Sequence, residues 1–194
     1  MIHDFVIVDD KLFILMPGNA GNHDRKNTPV FGIFNLKGEL IKKITGSFHS
    51  QYNDFMMYDN QVRMKVYDKL IHCLQEYGTT YRIYDIDGKL VNEFELGKNP
   101  LNDEEYKKLN YYFAYQIFAV NENKIYAGYA AKGKILIDVF DMTGKFLFKY
   151  KHKMDMKDSI YNVTDMKIIK RQGKTLIYLL LFTPEIEFVI AELT

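Results

Sequence analysis

The chain has 194 residues, of which 47% are hydrophobic and 26% charged, and its formal net charge is +1. This balance suits a globular domain and gives no electrostatic footprint for nucleic acid or an anionic membrane surface. The single cysteine, Cys73, excludes an internal disulfide, and the longest apolar run, Leu176 to Thr183, is much too short to span a membrane.

The first predicted strand, Phe5 to Val8, begins almost at once. Met1-Ile2-His3-Asp4 lacks a basic leader region, so the expected location is cytoplasmic if the chain is complete as given. It is extracytoplasmic if the chain belongs to a longer exported precursor. Asp10-Lys11 then opens the strand Leu12-Phe13-Ile14, and a polar insertion, Pro17 to Asn27, follows. Val30 to Phe34 and Leu40 to Ile44 complete the first unit around Asn35-Leu36-Lys37-Gly38. Their β-branched and aromatic composition is that of strands.

The same order recurs. Val62 to Tyr67, Leu70-Ile71, Thr80 to Tyr84 and Leu90 to Leu96 form a second unit, with Asp85-Ile86-Asp87-Gly88 as its last turn. Cys73 lies in an apolar run and reads as a buried, inert thiol, and His72 beside it as a strand residue whose ring bonds to backbone. Asn102 with Glu105 resembles a capping box, which predicts one or two helical turns. Gln116 to Val120, Ile125-Tyr126, Ile135 to Phe140 and Phe146 to Tyr150 form a third unit around Asp141-Met142-Thr143-Gly144. A charged connector, Lys151 to Ser159, leads to a fourth, with strands at Met166 to Ile169, Thr175 to Tyr178 and Ile186 to Leu193 but no Gly turn and no fourth strand.

The recurring phrase is aromatic, Asp or Asn, two variable residues, Gly, charge, apolar. Its copies, at Phe34 to Leu40, Tyr84 to Leu90 and Phe140 to Phe146, lie 50 and 56 residues apart. Such a period marks a repeat architecture. A type I turn favours Asp or Asn first and Gly fourth, which assigns Asn35, Asp85 and Asp141 to the first slot and Gly38, Gly88 and Gly144 to a left-handed fourth slot. The aspartates are therefore structural turn residues rather than paired catalytic carboxylates. The predicted fold is all-β: a β-propeller-like array of about four four-stranded antiparallel blades, near 5–45, 54–96, 111–151 and 161–194, forming one domain as a partial or open propeller.

Tyr84 to Leu90 and Phe140 to Phe146, each preceded by an Asp/Asn-Lys-apolar strand, resemble the bacterial six-bladed β-propellers of the NHL-like and TolB-like kind. The resemblance covers most of the chain and implies a binding role. It carries over no catalytic motif.

The insertion around His23, Asp24 and Arg25 is the candidate binding segment, because binding residues tend to sit on loops held by a rigid scaffold. Asn19, Asn22, His23 and Asp24 lack the order of a calcium loop, and the histidines show no metal-ligand spacing, so no metal, cofactor or catalytic residue is assigned. The expected function is a noncatalytic binding or protein-interaction module for a protein, glycan or small-molecule ligand. The alternative is a propeller enzyme, a lyase or metal-dependent hydrolase, with a site at the blade axis. The incomplete fourth unit adds an assembly expectation: a homodimer, or the missing remainder of a larger propeller.

Overall fold

The computed structural model describes residues 4–16, 28–46, 48, 62–75, 79–96, 115–131, 134–153, 162–182 and 186–193. All regular structure among them is β. In chain order the strands are β1 (Phe5–Val8), β2 (Lys11–Leu15), β3 (Pro29–Asn35), β4 (Leu40–Thr45), β5 (Val62–Tyr67), β6 (Leu70–Gln75), β7 (Thr80–Tyr84) and β8 (Leu90–Glu95). They continue as β9 (Ile117–Asn121), β10 (Lys124–Ala131), β11 (Lys134–Asp141), β12 (Phe146–Lys153), β13 (Asn162–Arg171), β14 (Lys174–Phe182) and β15 (Ile186–Glu192). Among the described residues no helix is long and apolar enough to cross a membrane. The expected helical turns at Asn102 to Leu109 lie outside the described residues.

The strands form four antiparallel meanders: β1-β2-β3-β4, β5-β6-β7-β8, β9-β10-β11-β12 and the three-stranded β13-β14-β15. These are the repeated blades of a propeller-like array, in the order that the turn phrases predict. The chain divides into two compact units, Met1–Glu95 with blades one and two and Leu96–Thr194 with blades three and four.

In the first unit, alternate residues of the two blades meet in a core containing Phe13, Leu15, Phe31, Ile33 and Ile44 from one blade and Val62, Met64, Ile71, Cys73 and Tyr84 from the other. Cys73 is buried, and burial pushes its thiol far above the ordinary range, which keeps it protonated and unreactive. In the second unit, Ile117, Ala119, Tyr126, Ile137 and Val139 pack against Met166, Ile168, Ile177, Leu179 and Leu181. The period-two alternation of each strand is what lets a blade present one apolar face to its neighbour.

The turns explain the repeated phrase. The Asn35 carbonyl accepts from Gly38 N at 3.0 Å, while its side-chain Oδ1 accepts from Lys37 N and Glu39 N, each at 2.9 Å. Asp85 Oδ1 accepts from Asp87 N and Lys89 N, and Asp141 Oδ1 from Thr143 N and Lys145 N. Gly38, Gly88 and Gly144 have φ of 82°, 72° and 83°. One-residue register shifts at Ile33/Phe34, Ile83/Tyr84 and Val139/Phe140 mark the accompanying bulges. The first hairpins of blades two, three and four are tighter, with Asp68-Lys69, Glu122-Asn123 and Gln172-Gly173 all at positive φ, as a two-residue type I′ turn requires; in blade one only Asp9 is at positive φ.

Candidate functional site: the loop end of the first unit

Antiparallel meanders sort their connections. In each blade the turn between the first two strands, and in the first three blades the glycine turn, lie at one end; the connections from blade to blade leave from the other. In the first unit the turn end is stitched together. Lys11 Nζ meets Asp87 Oδ1 at 2.7 Å and the Ile86 carbonyl at 3.1 Å, and Lys42 Nζ meets the Asp87 carbonyl at 2.9 Å. Lys69 Nζ lies 3.6 Å from Asp9 Oδ2. In the second unit Lys170 Nζ reaches Glu122 Oε1 at 3.0 Å. The turn carboxylates are occupied by backbone and lysine; nothing in their geometry resembles two carboxyl groups flanking a substrate bond.

The other end is where the strands open into longer connections. In blade one, Met16 precedes and Thr28 follows the sequence insertion that holds His23, Asp24 and Arg25; those three residues lie outside the described residues. Met16 N donates to the Val30 carbonyl at 2.8 Å, and Gly46 N to the Thr28 carbonyl at 3.2 Å, so the strand ends beneath the insertion are closed by backbone bonds.

Beside them, β6 and β7 of blade two supply polar groups that sequence reasoning passed over. Gln75 ends β6 and is fully buried, with no partner for its side-chain amide among the described residues. A buried amide of that kind costs about 1–3 kcal/mol unless something completes its hydrogen bonds. On the adjacent strand β7, Arg82 Nη1 donates to the Gly46 carbonyl at 2.7 Å, its Nε pairs with Glu93 Oε2, and its guanidinium lies 4.2 Å from the centroid of the Phe48 ring. The cation–π contact and the Glu93 carboxylate together hold the guanidinium at the seam between blades one and two. The only sequence signal for either residue was a polar side chain inside an otherwise apolar strand.

Two further polar groups are buried within blades. His72 is fully buried, and its Nδ1 shares a 2.9 Å hydrogen bond with the Tyr81 hydroxyl. Its position in strand β6 matches the sequence reading, but its ring pairs with a side chain rather than only with backbone. Burial lowers its pKa to about 4, opposed by the bond to the Tyr67 carbonyl, so the ring is neutral near pH 7. Asp138, on β11, is also fully buried. Tyr115 Oη donates to its Oδ2 at 3.0 Å, and Lys149 Nζ lies 3.5 Å from Oδ1, directly across the β11–β12 ladder. Burial raises the Asp138 pKa, while Lys149 and Tyr115 pull it back. The composition of Ile135 to Phe140 concealed this residue, because a lone Asp in an apolar run carries no partner information.

No family model matches the sequence, and no curated relative matches it. Among solved structures the chain is similar to an ancestral GH74 enzyme, with TM-score 0.52 and 12% identity over 96% of this chain and 25% of that one. It also aligns with the glutaminyl cyclase of Myxococcus xanthus, with TM-score 0.48 and 10% identity over 97% and 72% of the two chains. A catalytically inactive virginiamycin B lyase from Staphylococcus aureus gives TM-score 0.49 and 11% identity over 96% and 54%. The chain thus spans about half of the lyase and a quarter of the GH74 enzyme. At these identities the likeness shows a shared fold alone.

Proposed function

We propose that the chain is a binding module of the NHL-like and TolB-like propeller kind, which captures a protein, glycan or small-molecule ligand at the loop end of its blades. One observation carries the reading: the buried Gln75 amide, unpartnered among the described residues, at the loop end of blade two. On the adjacent strand of the same blade the Arg82 guanidinium lies over Phe48 and is paired with Glu93. A polar acceptor or donor group would complete the Gln75 hydrogen bonds. The insertion with His23, Asp24 and Arg25 leaves blade one from its corresponding end and would supply the variable contacts.

The test is a screen of the purified chain against glycan and peptide arrays, followed by isothermal titration of the best hit. Replacing His23, Asp24 and Arg25 together by Ala, or Gln75 by Leu, should weaken binding at least tenfold while leaving the melting temperature within a few degrees. Unchanged affinity in both variants would move the site elsewhere. A stoichiometric divalent ion in the purified protein, lost together with a hydrolytic activity on chelation, would replace the binding reading by the hydrolase alternative.

A further inference from the structure

We draw no further inference here: the strongest candidate, the buried cluster of Asp138, Lys149 and Tyr115 in blade three, carries nothing, because Lys149 and Tyr115 each engage one oxygen of the Asp138 carboxylate and nothing in the structure shows a path by which a ligand would reach it.

Discussion

Lys11 Nζ bonds Asp87 Oδ1 at 2.7 Å and so joins the first turn of blade one to the glycine turn of blade two. The contact raises the Lys11 pKa and lowers that of Asp87, chiefly through their mutual hydrogen bond. Asp87 is one of the variable turn positions, so in blade two the free slot of the repeat phrase has become an inter-blade tie.

Separating the two bonds of Lys11 gives a first prediction. In Asp87→Asn the lysine keeps its bond to the Ile86 carbonyl, and the loss should be small and salt-dependent, since an exposed ion pair is screened. Lys11→Met removes both bonds and should lower the melting temperature further, with a difference that persists at about 1 M salt. Thermal melts at low and high salt measure both. Equal losses at high salt would assign the stabilisation to the carboxylate alone.

The turn glycines should differ in their tolerance of a side chain. Gly38 has open space where a Cβ would go, so Gly38→Ala meets only the left-handed backbone cost, about 1–2 kcal/mol. At Gly88 the added carbon would lie 2.8 Å from Ile33 Cδ1 and closer still to Ile44 Cδ1, both part of the core of the first unit. Overpacking adds about 1–3 kcal/mol, so Gly88→Ala should cost about 2–5 kcal/mol in all. Urea denaturation of the two variants checks the order.

His72 should make the first unit acid-sensitive. Its folded pKa of about 4 lies below the ordinary 6.5, so between those values the unfolded chain binds more protons than the folded one. Stability therefore rises with pH across that window and falls as pH drops through it. The full difference is on the order of 3 kcal/mol. His72→Gln should flatten this slope in denaturation series at pH 4 to about 7. Asp138 acts with the opposite sign: its raised pKa makes protonation favour the folded state, so its contribution declines as pH rises above 3.8.

The Asp138–Lys149 pair should behave as a unit. Asp138→Ala leaves the Lys149 ammonium, with its side chain only 13% exposed, without its carboxylate, which should cost about 3–5 kcal/mol. Adding Lys149→Met removes the stranded charge and should recover much of that loss, as should an apolar replacement of both. Tyr115→Phe deletes one hydrogen bond to a charged group and should cost about 1.5–3 kcal/mol. A double-mutant cycle by denaturation gives the coupling; additive effects would mean that the pair contributes no mutual stabilisation.

The sequence by itself determined the local order of this protein. Strand, tight turn, strand, loop, strand and glycine turn were legible in the first three repeats because period-two patterning and turn stereochemistry act within a few residues. Asn35, Asp85 and Asp141 could be read as turn formers because their partners, Lys37, Asp87 and Thr143, lie two residues away. The incomplete fourth blade was equally visible as a missing phrase. Tertiary structure alone decided the rest. Arg82 reaches Gly46 and Phe48, Lys11 reaches Asp87, and Asp138 meets Tyr115, all across tens of residues. Such pairs form where folding removes water from polar groups and makes each require a partner, and neither hydrophobic alternation nor turn chemistry records which partner that is. The same holds for the two faces of a blade: alternation shows that both are apolar, and only the packed units reveal which is covered and which, at Phe5 and Phe188, is left in solvent.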